Sequence, residues 1–303
     1  MKTINCNNGW YLGLGDLICF AWLAAGCRAT GEEIAWFATG WRAEVLRLLG
    51  VTPTDKVEGS YLTAGGFEAA RHRGEKISYI EAMAREFGIQ SAPLRPDIAQ
   101  VPISDSGRVL LFPQTHGPSR QWPASHWIDL AWKLEAAGIE TLVVLGTADE
   151  RYQKRVPRWE TGLSHTALFH LIATARLVIS NDSGPAHVGG TLNLPSIAIC
   201  GPTGEPTFRH YTSVNLVSAK SLGCDGCYYG TSFRSACELG CQVLFRTFPE
   251  HVEQVALGML TPQHPEIRSQ EPGAASHLPS SESSLPNPSS KAPIPTLKRR
   301  KTK

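Results

Sequence analysis

The stretch LVISNDSGPAHVGGTLNLPSIAICGPT, Leu177 to Thr203, decides the fold. It opens on the apolar run Leu177–Ser180, too short for a helix and β-branched enough for a buried strand. Asn181-Asp182-Ser183-Gly184 then breaks the run with turn residues. Pro185 fits the first turn of a helix, where no N–H is needed, so a helix is expected over Pro185–Thr191. Ser196–Cys200 supplies a second apolar strand. Strand, helix and strand with both strands apolar throughout is the signature of a parallel sheet covered on both faces.

The same alternation extends upstream. Arg108–Phe112 and Thr141–Leu145 read as buried strands, and Ala124–Ala137 as the helix between them, stopped by Gly138. His165–Ala175 is a further helix. In the first hundred residues Ile4–Asn8 and Ile34–Ala38 read as strands. Leu17–Arg28, Arg42–Leu49 and Ile77–Phe87 read as helices, the last two ending at Gly50 and Gly88. Residues 90–106, with three prolines, suit a connection between domains.

Composition sets the limits. The 303 residues are 42% hydrophobic and 18% charged, which excludes wholesale disorder. The net charge of +2 is uneven. Residues 261–303 carry seven Lys or Arg against three Glu, so the rest of the chain is slightly acidic and makes no case for nucleic acid. The same 43 residues hold eight Pro and eight Ser. They cannot bury enough surface to offset their ordering entropy, so a disordered tail is expected. Residues 10–27 are apolar enough to suggest a signal segment, but Asp16 inside them and a single preceding Lys2 oppose that reading. A cytoplasmic location is expected, peripheral to the inner membrane face at most, and no transmembrane span.

Four groups of residues carry candidate chemistry. Asp182, Ser183 and Gly184 lie where a strand end meets a helix N-terminus, the usual place for an anion in an open α/β sheet. His187 follows one turn later. An ordinary helix capped by Asp182 or Ser183 accounts for the same residues. Thr115 and Arg120 lie in Pro113–Pro123, after the first strand of this half. There a guanidinium could fork onto a diphosphate, although without further context a plain surface arginine is the commoner reading. Glu150 follows strand Thr141–Leu145, where a carboxylate could accept both ribose hydroxyls. A carboxylate at a helix start is also favoured by the dipole alone. Gly13-Leu14-Gly15-Asp16 forms a turn in which Gly13 and Gly15 allow close approach and Asp16 offers a base, but by itself it is only a turn.

In order and spacing these four segments resemble glycosyltransferase family 9, the ADP-heptose heptosyltransferases. The resemblance covers residues 106–260 well and residues 8–50 more loosely. It implies a GT-B architecture, two Rossmann-like domains with parallel sheets facing a cleft. Residues 1–105 would form a shortened acceptor-side domain and residues 106–260 a nucleotide-sugar domain. It implies inverting transfer of heptose from ADP-heptose to a hydroxyl on a lipopolysaccharide core, another glycan, a lipid-linked sugar or a protein. No metal or other cofactor would serve catalysis. By the same resemblance Asp16 would be the base. Thr115, Arg120, Asp182, Ser183, Gly184 and His187 would hold the donor's phosphates and sugar, Glu150 its ribose, and Thr203 of the Gly-Pro-Thr turn would be a further phosphate contact. Arg120 stands where the family usually has lysine, which leaves other nucleotide sugars open. A non-catalytic nucleotide-sugar-binding or zinc-binding protein is the reading from a different class.

Cys224, Cys227, Cys237 and Cys241 fall within 18 residues. CxxC and CxxxC spacings beside Gly223, Gly226 and Gly240 suit a tetrahedral structural zinc or iron site. Two disulfides or four thiols fit the same spacing. The autotransporter heptosyltransferases within the resembled family carry a four-cysteine iron site.

Overall fold

The computed structural model describes residues 2–7, 13–56, 75, 77–98, 101–203, 207–218 and 241–261. The chain forms two parallel sheets. The smaller has three strands in the order β1 (Lys2–Asn5), β2 (Ile34–Phe37) and β3 (Pro53–Thr54). Helices α1 (Leu14–Thr30), α2 (Gly40–Leu48) and α3 (Tyr79–Glu86) accompany it. The larger sheet has six strands in the order β6-β5-β4-β7-β8-β9. These are β4 (Val109–Phe112), β5 (Thr141–Leu145), β6 (Trp159–Thr161), β7 (Leu177–Asn181), β8 (Ser196–Ile199) and β9 (Val214–Val217). Helices α4 (Ala124–Ala136), α5 (Glu150–Gln153), α6 (His165–Ala173), α7 (Gly184–Thr191), α8 (Gln242–Arg246) and α9 (Pro249–Leu260) complete it.

The apolar runs are explained by burial on both faces. Along β4, Val109 and Leu111 pack with Trp127, Leu130 and Leu134 of α4 and Val252 and Ala256 of α9. Leu110 and Phe112, on the opposite face, join the core that holds α6 and α7. Successive strand residues point to opposite faces, so the central strands β4, β7 and β8 are buried at every position. The helix stops expected at Gly50, Gly88 and Gly138 all have positive φ, 70°, 59° and 78°, a conformation that costs glycine nothing.

The apolar residues of α1 lie within the larger of the buried cores. Leu17 to Leu23 of α1 are all buried. Helix α1 lies between α2 and α3 on its own sheet and α7 of the larger one. The buried core therefore runs without a break from Ile4 through α1 to Tyr211. A hydrogen bond from Trp22 Nε1 to Thr191 Oγ1, 3.0 Å, pins α1 to the far end of α7. No helix among the described residues is long and apolar enough to cross a membrane. Gly26 lets the chain return across α1, because a Cβ there would stand 2.0 Å from the Ala92 carbonyl oxygen. Gly26→Ala is expected to cost at least 1–3 kcal/mol, the usual range for an overpacked core, read as a lowered denaturation midpoint.

Among the described residues, three strands and three helices escaped the sequence reading, the shortest of the helices being α5. β3 is a two-residue edge, while β6 is an edge strand with Trp159 and Glu160 exposed. Neither shows an apolar run. β9 covers the opposite edge, and only Val217 of it is buried. Short helix α8 begins just after Cys241, and α9 lays Val252 and Ala256 on the sheet. The tail from residue 262, and Cys224, Cys227 and Cys237 of the cysteine cluster, lie outside the described residues; Cys241 is buried against the larger sheet.

Candidate functional site

In the larger sheet the strand order reverses between β4 and β7, and ligands of open α/β sheets bind in the crevice such a reversal leaves at the carboxyl ends. The loop after β4 and the turn after β7 meet there. Asn181, fully buried at the end of β7, organises the junction. Its Nδ2 donates to the Pro113 carbonyl at 2.6 Å, and its Oδ1 accepts the Trp122 N–H at 3.0 Å. The loop 113–122 is thereby tied down at both ends. Thr115 Oγ1 donates to the Asp182 carbonyl at 3.2 Å, and Arg120 Nη2 donates to the His116 carbonyl at 2.8 Å. The Arg120 guanidinium stands 3.8 Å from Asp182 Oδ2.

Asp182 is a buried carboxylate whose Oδ2 has no hydrogen bond among the described residues. Burial raises its pKa; the nearby charge of Arg120 and the Thr203 hydroxyl beside it work against that rise. Thr203 Oγ1 is itself buried without a hydrogen-bond partner among the described residues. A buried carboxylate and a buried hydroxyl beside a guanidinium, at the carboxyl end of β7, have the character of a ligand site. Ser183 is the N-cap residue of α7, but its hydroxyl meets Ser180 Oγ at 2.9 Å and caps no helical N–H. No side chain of the described residues caps the first turn of α7, where the helix dipole is positive.

His187 lies one turn into α7. Its ring stacks on Phe208 with centroids 4.6 Å apart, and its Nδ1 is 3.0 Å from the Tyr211 hydroxyl. Burial, reinforced by the positive charges of His210 and Arg120, pushes its pKa down to about 3. The ring is therefore neutral at physiological pH and acts as a polar contact, not a cation.

The turn before α1 completes the site from the other sheet. A Cβ on Gly15 would meet the His187 ring at 2.8 Å, and a Cβ on Gly184 would meet the Leu14 side chain at 2.8 Å. The glycines at these two turns thus let the N-termini of α1 and α7 touch. Asp16, third residue of α1, accepts the Gly13 N–H at 2.9 Å and the Tyr79 hydroxyl at 2.9 Å. Burial raises the Asp16 pKa, and the Gly13 N–H, the Tyr79 hydroxyl and the charge of Arg120 partly counter it. A raised carboxylate is the better proton acceptor.

The candidate residues thus fall into two groups. Gly13, Gly15, Asp16, Thr115, Arg120, Asp182, Ser183, Gly184, His187 and Thr203 converge on one mouth. Glu150 is exposed at the start of α5, on the neighbouring loop after β5. That loop is joined to the loop after β4 by Gln114, whose side chain exchanges hydrogen bonds of 3.0 Å with the Thr147 backbone N–H and carbonyl. Asn181, Tyr79, Tyr211 and Gln114 were not singled out from sequence. Asn181 alone had a readable signal, a buried amide at a strand end next to turn residues. Elsewhere at the junction of the sheets, Trp41 of α2 stacks on His165 of α6 at 4.3 Å, and Thr166 hydrogen-bonds Glu44.

The Tyr79 contact is testable. Tyr79→Phe removes a hydrogen bond that favours the charged form of Asp16, so the Asp16 pKa rises further. If Asp16 acts as a base, the acid limb of the kcat profile moves to higher pH while the KM for the donor stays put. An unmoved limb would separate Tyr79 from the chemistry.

Two parallel sheets with helix N-termini meeting between them define a GT-B-type fold. In solved structures the same fold is found in the Escherichia coli heptosyltransferase WaaC with ADP-2-deoxy-2-fluoro heptose (TM-score 0.58, 15% identity, 85% of this chain and 99% of that one). It is found as well in the iron-containing dodecameric glycosyltransferase TibC of enterotoxigenic E. coli (TM-score 0.65, 16% identity, 85% and 75% of the two chains). The family model for glycosyltransferase family 9 (heptosyltransferase) matches residues 78–237, more than half of the sequence, and the chain belongs to that family. Lipopolysaccharide heptosyltransferase 2 of E. coli K12 is 32% identical over 107 residues, 30% of each chain. Lipopolysaccharide heptosyltransferase 1 of the same strain is 27% identical over 124 residues, 38% of each chain. The matched stretches therefore span less than two-fifths of these curated relatives.

Proposed function

We propose that this chain is an inverting glycosyltransferase that moves heptose from ADP-heptose to a hydroxyl acceptor, with Asp16 as general base. The observation that supports it is the contact of the Gly13–Asp16 turn with the Asp182–His187 turn, which sets a carboxylate of raised pKa near the Arg120 guanidinium and the N-terminus of α7. In this reading the acceptor hydroxyl enters from the side of the smaller sheet. Its proton passes to Asp16 as its oxygen attacks the anomeric carbon, and the bond from that carbon to the ADP oxygen breaks on the opposite face. Charge accumulates on the leaving diphosphate. Arg120, the Thr115 and Thr203 hydroxyls and the N-terminal turn of α7 stabilise it. Neutral His187 and Asp182 orient the sugar and phosphates, and Glu150 takes the ribose hydroxyls. None of these roles requires a metal. The domains would divide the work, residues 1–105 serving the acceptor, be it glycan, lipid-linked sugar or protein, and residues 106–260 the donor. Cytoplasmic supply of a nucleotide sugar fits this assignment.

Calorimetric titration of the full chain with ADP, UDP, GDP and ADP-heptose tests the reading. Tightest binding of ADP and its heptose conjugate supports it. Preference for another base points to a different nucleotide sugar, and binding without any donor hydrolysis or transfer points to a non-catalytic binding protein. Within the same assay, Glu150→Ala is expected to weaken ADP by about 1.5–3 kcal/mol, the range for hydrogen bonds to a charged group. An unchanged affinity removes Glu150 from the site.

A further inference from the structure

Behind the mouth of the crevice lies a group of soft donors that the transfer reaction does not use as a set. Cys19 of α1, His187 of α7 and His210 of the turn before β9 bring one ligand atom each to within 4.8 Å of one another. Cys19 and His187 are buried, and His210 is half-buried. The three come from separate segments of the fold, so their meeting is a product of tertiary structure and not of local spacing.

The polar bookkeeping around them is incomplete in a way that a cation would complete. Both ring nitrogens of His210 are buried and have no hydrogen-bond partner among the described residues. A neutral imidazole carries one N–H and one lone pair, so leaving both unmet is unfavourable. Trp22 and Tyr211 pack around the ring, at centroid distances of 5.1 and 3.9 Å, and hold it in place without meeting those nitrogens. His187 is different. Its Nδ1 is engaged by the Tyr211 hydroxyl, and its Cδ2–Nε2 edge lies against Gly15. Gly15 and Cys19 are four residues apart on α1 and so share one face of that helix. The edge of His187 that offers Nε2 is therefore the edge turned toward the side of α1 that carries Cys19. A hydrogen-bond partner on the other ring nitrogen is the usual arrangement for a histidine ligand.

We propose that Cys19, His187 and His210 form a binding site for a zinc-type divalent cation that ties α1 to α7 and to the turn before β9. One thiolate and two imidazoles match the preferences of zinc, cobalt and copper and are poor for magnesium or calcium. Tetrahedral zinc with these bond lengths places its ligand atoms roughly 3.3–3.6 Å apart. The widest gap must therefore close by about an ångström, and His210, in a turn and half-buried, is the ligand able to move. Binding replaces the Cys19 S–H bond by a sulfur–metal bond and releases that proton to solvent, with no change in oxidation state. An occupied site also takes His187 away from any donor sugar, so the cation would hold the chain in a form closed to substrate. None of its three ligands is Cys224, Cys227, Cys237 or Cys241, and its existence does not depend on the transferase reading.

Cobalt(II) absorption tests it directly. The full chain carrying Cys224→Ser and Cys227→Ser is titrated with cobalt, which silences most of the thiolate signal from the cluster. Tetrahedral visible bands with a near-ultraviolet thiolate-to-cobalt band are expected at a single equivalent. Adding Cys19→Ser abolishes the thiolate band, and adding His210→Ala instead weakens cobalt affinity by about tenfold or more. Circular dichroism checks that each variant is folded. Should Cys19→Ser unfold, the half-buried His210→Ala variant decides the question. Absence of both bands, or bands that neither substitution alters, overturns the proposal.

Discussion

Asp16→Asn is expected to lower the transfer rate by about 10²–10⁴-fold, the usual contribution of a positioned general base, with ADP affinity changed less than twofold. The substitution is close to isosteric. The asparagine Oδ1 still accepts the Gly13 N–H that organises the start of α1, so the turn and its contact with His187 survive. What disappears is the ability to take a proton. Burial raises the Asp16 pKa, the direction that suits a proton acceptor in the proposed reaction. Single-turnover transfer and ADP calorimetry on the same preparation separate the outcomes. If ADP binding collapses together with the rate, Asp16 belongs to the donor site or to the fold, and the base must be sought elsewhere.

Arg120→Ala should act on affinity and stability together. Arg120 is the cation nearest the buried carboxylate of Asp182, and removing it leaves that charge buried without compensation. Fully buried pairs lose about 3–5 kcal/mol in this way. The side chain of Arg120 is 25% exposed, and Asp182 can protonate, so about 2–3 kcal/mol is the expected loss. ADP affinity should fall by roughly one to two orders of magnitude, since a bidentate charge-assisted contact to phosphate is lost. Arg120→Lys distinguishes the two effects. It restores a charge beside Asp182, and so most of the stability, but not the planar fork. Denaturation midpoints and ADP titrations of both variants provide the check. Full affinity in Arg120→Ala would take the guanidinium out of the donor site.

The sequence made much of the larger sheet legible because that sheet is buried on both sides. Leu110 and Leu111 face different layers yet both need to be apolar, so β4, β5, β7 and β8 stood out as unbroken runs. Edges obey a weaker rule. Trp159 and Glu160 of β6 are exposed and satisfy only backbone pairing with β5, which leaves no trace in hydropathy. The apolar stretch at residues 10–27 suggested a leader segment by composition alone. It is apolar because α1 is covered by helices on several sides, and a helix buried all round has no polar stripe.

For the site, the residues around Asp182, the loop 113–123 and the Gly13–Asp16 turn were each readable as local patterns, and their order along the chain identified the family. Local pattern also determined which residues are turn-forming, which are charged and where strands end, since these depend on neighbours within a few positions. Tertiary structure alone decided which of them meet. Tyr79 reaches Asp16 from 63 residues away, Thr115 reaches the Asp182 backbone from 67, and Gly15 lies on His187 across the two sheets. The protonation tendencies of Asp16, Asp182 and His187 are also tertiary properties. They arise from desolvation by residues distant in sequence, and desolvation depends on what surrounds a group in space, which no stretch of neighbouring sequence specifies.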